Sequence, residues 1–151
     1  DEVLLGKQDA SDQIVIIGGG LVGCETALWL AQQGKKVSVV EILPEILGEH
    51  GAMPHMNYYM LTDLLNYHKV DIYTDTKVLK TTSDGVVVET DGTQKVLPAK
   101  TVIASIGYKE NNMLYEQLKD SEIPVYNIGD SRQVHNIMYA IWNAYELARG
   151  L

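Results

Sequence analysis

A glycine-rich turn between an apolar run and an amphipathic segment constrains the fold of this chain more than any other feature. The turn spans residues 18–23, Gly-Gly-Gly-Leu-Val-Gly, and matches the pattern G-x-G-x-x-G. Residues 13–18 carry a β-branched run that is typical of a strand buried on both faces. Residues 21–33 predict a helix that ends at Gly34, with one apolar stripe formed by Leu21, Cys24, Leu28 and Ala31. Because residues 36–41 predict a second strand, the segment predicts a βαβ unit.

Each glycine of the motif has a physical role if the turn binds a dinucleotide. Gly18 would make the tight turn, Gly20 would let a pyrophosphate approach the backbone, and Gly23 would let the helix pack close to the strand. The free N–H groups and positive dipole end of the helix would face the phosphates. The alternative is a glycine turn without a ligand, which the strand–turn–helix context disfavours. The predicted cofactor-binding residues of the motif are Gly18, Gly19, Gly20, Leu21, Val22 and Gly23.

Glu41 ends the second predicted strand, 18 residues after Gly23. An acid about 20 residues beyond the glycine motif is expected to bind the ribose hydroxyls, with Ile42 beside it; the alternative is a solvated strand-end carboxylate. Residues 41–49 contain three acids and no Lys or Arg, so a 2′-phosphate would meet like charge without a cation. The sequence therefore predicts NADH rather than NADPH. The three acids are Glu41, Glu45 and Glu49.

Two residues that follow the motif, Cys24 and Glu25, each have more than one possible role. Cys24 is the single cysteine of the chain, so it has no redox partner, and we predict a small buried core residue. Glu25 has two open interpretations, a first-turn partner of the helix dipole or a contact with a part of the cofactor away from the pyrophosphate. The four histidines show no metal-ligand spacing and no motif supplies a catalytic residue, so we predict neither a metal site nor a catalytic residue.

The segment after the βαβ unit predicts antiparallel structure between parallel strands. Residues 57, 60, 61, 64, 65 and 68 fall at helical spacing, and residues 70–73 predict a third strand. Two hairpin sequences, Ser-Asp-Gly and Asp-Gly-Thr, then separate three predicted short strands. These strands are residues 77–82, 85–90 and 94–98, and residues 101–105 follow as another buried strand. We therefore predict an α/β fold, a Rossmann-like βαβ parallel sheet with a three-stranded antiparallel β-meander crossover.

Three further elements are predicted near the end of the sequence. Residues 112–118 predict a short helix and residues 124–128 predict a strand. The last segment carries one apolar stripe at helical spacing from Val134 to Ala148, which indicates an amphipathic helix of about four turns.

Composition excludes several classes of function. The formal charge of −8 disfavours nucleic acid and anionic lipid as partners, because both require a basic surface. No apolar run approaches the roughly 20 residues of a membrane span, and no basic-then-apolar leader opens the sequence. We therefore expect a cytoplasmic location and no membrane partner. Residue 1 is Asp rather than Met, which suggests a piece of a longer polypeptide.

Several separated stretches resemble one family. Residues 14–25, the strand Val-Ser-Val-Val-Glu and the meander look like the pyridine-nucleotide domain of the two-dinucleotide-binding flavoproteins, in the pyridine nucleotide-disulfide oxidoreductase superfamily. Residues 101–107 resemble that family's second signature strand, which ends beside the nicotinamide half of the cofactor. The resemblance implies nicotinamide contacts at Ala104, Ser105, Ile106 and Gly107.

A third stretch, residues 125–130, resembles the family's flavin motif. In that motif a Gly-Asp turn contacts the ribityl and phosphate region of FAD, which implies this role for Gly129 and Asp130. The alternative for Asp130 is an N-cap on the helix that follows.

In its details the sequence is most similar to the 2,4-dienoyl-CoA reductase and 2-enoate reductase group of flavin ene-reductases. The resemblance implies a larger polypeptide with an FAD domain, a catalytic barrel that holds FMN and an iron–sulfur cluster, and a small-molecule substrate bound elsewhere. Residues 1–12 would be a lead-in from the FAD domain, residues 13–119 the NAD(H)-binding domain, and residues 120–151 a strand and helix with the FAD-domain Gly-Asp motif. The implied function is to position the nicotinamide for hydride transfer to FAD in an enzyme that reduces activated C=C bonds.

Other functions stay open at this point. The chain resembles the same domain in other enzymes of the superfamily, such as NADH oxidases and ferredoxin reductases, and less closely in disulfide reductases. A non-catalytic nucleotide-binding module is an alternative of another class. FAD rather than NADH could also occupy the glycine motif, as it does in the first dinucleotide domain of the superfamily.

Overall fold

The computed structural model describes residues 2–48 and 54–151. The chain forms two compact units, residues 1–107 and residues 108–151, which we describe separately. The predicted domain limits, at residues 12/13 and 119/120, stay a prediction.

The first unit is built on a parallel sheet with helices. Its strands lie in the order β3-β2-β1-β7, and every neighbouring pair is parallel. The strands are β1 (Gln13–Ile17), β2 (Lys36–Val40), β3 (Asp71–Tyr73) and β7 (Thr101–Ala104), and the helices are α1 (Leu21–Gln32) and α2 (His55–Tyr67). The chain thus passes from β1 to its neighbour on one side and returns later to β7 on the other.

Strand β1 is apolar from its second residue, Ile14, to its last, Ile17, because both of its faces are covered. Ile14 and Ile16 belong to the core cluster that includes the helices, and Val15 belongs to a second cluster on the opposite face. Successive side chains of a strand point to opposite faces, so a continuous β-branched run supplies both cores at once.

Helix α1 buries a slightly different stripe from the predicted one. Cys24 and Ala31 are buried as expected, but Leu21, the first residue of the helix, is 36% exposed. Ala27 and Leu30 complete the buried face instead. The helix ends before Gly34, whose left-handed backbone and N–H bond to the Ala31 carbonyl (2.9 Å) close the last turn.

The predicted meander forms the crossover from β3 to β7, which confirms the predicted fold class. Its strands are β4 (Thr76–Thr82), β5 (Gly85–Thr90) and β6 (Thr93–Pro98), paired antiparallel in that order. Val86, Val88 and Leu97 from the meander pack in one buried cluster with Val15 and Val40 of the parallel sheet. The meander therefore acts as the cover for one face of that sheet.

The second unit contains α3 (Met113–Leu118), a 3₁₀ turn (Gly129–Ser131) and α4 (Ile137–Gly150). The predicted strand at residues 124–128 is wrong, because within the described residues this segment pairs with no sheet. A strand needs a partner for its N–H and C=O groups, and this unit offers none.

The last helix begins later than its apolar stripe indicates. Asn136 is the N-cap, and its side-chain oxygen accepts a hydrogen bond from the Tyr139 N–H (3.2 Å). Val134 therefore lies outside the helix, and Asp130 is not its N-cap. No residue of α4 is buried within the described chain, so its apolar stripe stays open.

The start of α1 packs closely against the turn that follows β1. A Cβ atom added at Gly23 would overlap the carbonyl oxygen of Gly18. The helix can rest this close to the strand end only because residue 23 has no side chain, as the sequence predicts.

We expect Gly23→Ala to lower the free energy of unfolding of the first unit by about 2–3 kcal/mol, because the added methyl group forces a tightly packed helix and strand apart. Urea unfolding followed by Trp29 fluorescence, in a Trp142→Phe background, measures this unit alone because the chain has only these two tryptophans. Gln32→Ala, an exposed position on the same helix, is the control in the same unit and should leave the midpoint nearly unchanged. Equal midpoints for the two variants would contradict the packing argument.

Candidate functional site

The carboxyl ends of the parallel strands bring the predicted site residues to one edge of the sheet. Ile17 is paired in register with Val40 on one side and with Ala104 on the other, so the three strands end level. The glycine motif follows β1, Glu41 follows β2, and residues 104–107 follow β7. Because the chain leaves β1 in one direction and β7 lies on its other side, this edge is a topological switch point, where open α/β sheets form ligand crevices.

Gly18 is held between the ends of β2 and β7. Its N–H donates to the Val40 carbonyl (2.8 Å), and the Ser105 N–H donates to the Ile17 carbonyl (2.8 Å). The φ angle of Gly18, +105°, lies in the left-handed region, and a Cβ atom at Gly18 would overlap the carbonyl oxygen of Ser105. Glycine is therefore needed at position 18 both for the tight turn and because the backbone that follows β7 packs directly against it.

The N-terminus of α1 faces this crevice without a side-chain cap. Gly20 occupies the N-cap position in an extended conformation and makes no side-chain capping bond. Leu21 and Val22 are 36% and 47% exposed. The N–H groups of a first helical turn have no acceptor within the helix, so this end suits an anion such as a pyrophosphate. Ligand contacts of the glycine motif stay a prediction.

Glu41 is buried, with 9% of its surface exposed, so it is not a solvated strand-end carboxylate. Its Oε2 accepts a hydrogen bond from the Gly19 N–H (2.6 Å), and its Oε1 accepts one from the Leu43 N–H (2.9 Å). The carboxylate therefore faces the glycine turn. Ile42 is 63% exposed beside it, and the contact with a ribose stays a prediction.

The segment after Glu41 folds back over the glycine turn, a feature that the sequence interpretation missed. Ile46 and Leu47 are each 6% exposed, and the Leu47 N–H donates to the Gly19 carbonyl (2.9 Å). The only signal in the sequence is the pair of adjacent apolar residues itself, a few positions after Glu41. Glu49, the last acid of the predicted NADH-selective stretch, lies outside the described residues.

Cys24 is fully buried, and its thiol donates to the Gly19 carbonyl (3.2 Å). Burial, with smaller contributions from the negative charges of Glu41 and Glu25, raises the pKa of this thiol to about 12. The thiol thus stays protonated at neutral pH, which confirms the interpretation of Cys24 as a core residue.

Glu25 is exposed and is the fifth residue of α1, so it lies beyond the first turn. The interpretation as a first-turn dipole partner is therefore wrong, because the dipole effect fades within that turn. Its contact with a cofactor stays a prediction.

Gly129 and Asp130 lie in the second unit, where they begin the 3₁₀ turn. Gly129 has a φ of +61°, and Asp130 Oδ1 accepts a hydrogen bond from the His135 N–H (3.2 Å). The exposed Asp130 carboxylate thus stabilises the turn, and its contact with FAD stays a prediction. A cavity of about 490 Å³ in this unit, between α3, residues 125–128 and α4, is lined by neither residue.

The described residues show neither a metal-binding cluster nor a membrane-spanning helix. In residues 2–48 and 54–151, no group of three or more His, Cys, Asp and Glu side chains could hold a metal ion. In the same ranges, no helix has the length and apolar character that crossing a membrane requires.

We expect Cys24 to be unreactive toward a thiol-specific disulfide reagent at pH 8 and to react fully once urea unfolds the chain, because only the thiolate is nucleophilic. Ser83→Cys places a second thiol on an exposed hairpin turn and should react at once, leaving Cys24 unmodified. The pKa of this thiol is 9.0 in an unfolded chain and about 12 in the native fold. Because the unfolded state loses its thiol proton first, the contribution of Cys24 to the free energy of unfolding should fall as pH rises from about 9 to about 12. Rapid native labelling of Cys24 would contradict the burial.

Comparison with known proteins identifies relatives over almost the whole chain. Residues 1–137 match the family model of the pyridine nucleotide-disulphide oxidoreductases. The chain is 41% identical over its full length to a cinnamate reductase of Clostridium sporogenes, and 34% identical over 97% of its length to an NADH oxidase of Thermoanaerobacter brockii. A solved structure of 2-naphthoyl-CoA reductase in complex with 2-naphthoyl-CoA superposes on 99% of the chain with a TM-score of 0.88 and 26% identity.

The chain spans 23% of the length of each of these three proteins. The names of its relatives confirm the expectation that it is an oxidoreductase domain. The parallel sheet, the glycine motif at its switch point and the family match over residues 1–137 lead to one conclusion: the chain belongs to the pyridine nucleotide-disulphide oxidoreductase family.

Proposed function

We propose that this chain is the NADH-binding domain of a flavin-dependent oxidoreductase and positions the nicotinamide for hydride transfer to FAD. The observation that carries the proposal is the uncapped N-terminus of α1, which lies beside the ends of β1 and β7 at the switch point of the sheet. That arrangement fits the pyrophosphate of a dinucleotide, whose two halves would extend along the carboxyl edge.

Each part of the edge would bind one part of the cofactor. The N–H groups at Gly20, Leu21 and Val22 would hold the pyrophosphate, and Glu41 would bind the adenosine ribose. Residues 104–107 would border the nicotinamide. The hydride chemistry is supplied by the bound cofactors themselves, so the role of the protein is to bind and orient them. Such a domain needs no acid, base or nucleophile of its own.

Preference for NADH over NADPH follows from the charge around the ribose position. Glu41 is buried and held by two N–H donors, so it cannot easily turn away from a 2′-phosphate. Residues 41–48 contain Glu41 and Glu45 and neither Lys nor Arg. A 2′-phosphate would therefore meet a fixed negative charge without a compensating cation.

The substrate class that we propose is an activated C=C bond, reduced elsewhere in the same polypeptide. Support comes from the 41% identity to a cinnamate reductase and the structural match to 2-naphthoyl-CoA reductase. Both proteins are several times longer than this chain, so an FAD domain and a catalytic barrel with FMN and an iron–sulfur cluster would supply the rest. The open apolar face of α4 and the unpaired segment 124–128 fit a unit that an FAD domain completes. A cytoplasmic location belongs to the same proposal.

An NADH oxidase is the second candidate, because the relative from Thermoanaerobacter brockii has this activity in its name and is 34% identical. The role of the described domain would be the same in both enzymes. Only the final electron acceptor would differ.

We expect the polypeptide that carries this chain to bind NADH at least tenfold more tightly than NADPH. Glu41→Ala should weaken NADH binding by about 1–3 kcal/mol, the effect of leaving ribose hydroxyls unpaired, and should reduce the preference between the cofactors. Calorimetric titration with both nucleotides measures this, and Asp63→Asn, an exposed acid on α2 of the same unit, controls for the loss of one negative charge. Equal affinities of the unaltered protein for NADH and NADPH would refute the charge argument.

We also expect the full polypeptide in which this sequence occurs to be coloured by flavin and an iron–sulfur cluster, and to oxidise NADH when an activated alkene such as cinnamate is added. Absorption spectra, iron analysis and anaerobic NADH consumption measure this. NADH oxidation that depends on oxygen and not on the alkene would favour the oxidase. Colourless protein without iron would contradict the ene-reductase proposal.

A further inference from the structure

Gly19, the second residue of the glycine motif, has both of its backbone polar groups occupied by the protein itself. Its N–H donates to Glu41 Oε2 (2.6 Å), and its carbonyl accepts the Leu47 N–H (2.9 Å) and the Cys24 thiol (3.2 Å). Gly19 is also buried. Neither group is therefore open to a phosphate, although the position belongs to the motif.

The space beside Gly19 is filled as well. A Cβ atom added there would lie 2.8 Å from Ile46 Cγ2, which is closer than Cβ contacts in proteins, and 3.0 Å from Glu41 Cβ, which is at the short end of such contacts. A side chain at this position would therefore displace Ile46 or Glu41. We call Glu41, Ile46 and Leu47 the bracket, since together they enclose Gly19.

The bracket is anchored to the sheet through the backbone of Glu41. The Glu41 N–H donates to the Tyr73 carbonyl (2.8 Å), and the Glu41 carbonyl accepts the Thr76 N–H (2.9 Å). Glu41 is therefore fixed between the end of β3 and the start of β4. Its second carboxylate oxygen is held by the Leu43 N–H (2.9 Å), so the side chain has little freedom to move.

The other end of the bracket is held in an unfavourable backbone conformation. Leu47 has a φ of +62°, in the left-handed region that costs a non-glycine residue about 1–2 kcal/mol. Its hydrogen bond to Gly19 and the burial of its side chain, 6% exposed, maintain that conformation. Keeping this segment against the glycine turn therefore costs the fold some free energy, which these contacts offset.

We propose that Glu41 is a positioning residue for the glycine turn, in addition to any contact it makes with a ribose. Through Gly19 it fixes the turn in the conformation that presents Gly20 and the first turn of α1 to a pyrophosphate, before the nucleotide arrives. This inference rests on the proposed dinucleotide function. It reassigns Gly19 from cofactor ligand to scaffold residue, held by the bracket. A turn fixed in advance binds more tightly because less ordering accompanies binding.

The test separates positioning from ribose binding by removing the ribose hydroxyls from the ligand. The full polypeptide in which this sequence occurs is titrated with ADP and with 2′,3′-dideoxy-ADP, as the unaltered protein and as Glu41→Gln. Glutamine has the same shape but offers one acceptor oxygen, so one of the two N–H groups loses its partner. We expect Glu41→Gln to weaken 2′,3′-dideoxy-ADP binding at least fivefold. A residue that only binds the ribose hydroxyls would leave this affinity unchanged.

A second readout needs no ligand. Hydrogen exchange of peptides that contain residues 18–20, followed by mass spectrometry in the nucleotide-free protein, should be faster in Glu41→Gln. Ile46→Ala, which removes the packing on Gly19 and keeps the carboxylate, should show the same faster exchange and the same weaker binding. Asp63→Asn should change neither. Thermal unfolding of each variant shows that the proteins are folded.

Three results would overturn the proposal in distinguishable ways. Unchanged affinity of Glu41→Gln for 2′,3′-dideoxy-ADP, with weaker binding of ADP, would leave Glu41 as a ribose ligand and leave the proposed function intact. Unchanged hydrogen exchange at residues 18–20 in both variants would show that the bracket does not fix the turn. An unaltered protein that does not bind ADP would remove the proposed function, and the positioning role with it.

Discussion

The close approach of three backbone segments at Gly18 is the contact on which the rest of the site depends. The turn there packs against the end of β7 at Ser105 and against the start of α1 at Gly23, and a Cβ at either glycine would overlap a carbonyl oxygen. This packing sets the helix N-terminus directly over the edge where β1, β2 and β7 end level. The crevice at that edge, where we propose that a dinucleotide binds, is thus a consequence of how tightly the sheet and helix are joined.

Elements whose identity depends on local pattern could be predicted from the sequence. Three such elements are the apolar run of β1, the glycine that ends α1 and the hairpins of the meander. In each of them a periodicity or a turn residue is typical of a single local structure. Residues 124–128 also contain residue types that favour strands, Val125, Tyr126 and Ile128. A strand also needs a neighbour, however, and the pattern does not reveal whether one exists. The start of α4 differs from the prediction for a related reason. The apolar stripe begins at Val134, but the capping residue Asn136 determines where the helix begins.

The candidate site was predictable in residue type and spacing but not in its contacts. Glu41 stands where a ribose-binding acid is expected, yet its bonds to Gly19 and Leu43 depend on a loop that folds back over the turn. The same loop brings Ile46 against Gly19, and nothing in the spacing of the glycines predicts it. Glu25 shows the opposite case, because a helix that starts at Leu21 places it beyond the first turn. Long-range contacts decide these roles.

The described site holds its potentially reactive groups in inert states, which fits a domain that orients cofactors. The Cys24 thiol is buried and protonated, and both carboxylate oxygens of Glu41 accept backbone hydrogen bonds. On the proposed function such a site would act through geometry, since a displaced turn would misplace the whole dinucleotide. On the proposed function, the same domain can serve a reductase of C=C bonds or an NADH oxidase, because each requires only that the nicotinamide be held against a flavin. Differences in substrate would then arise in the parts of those longer proteins that this chain does not span.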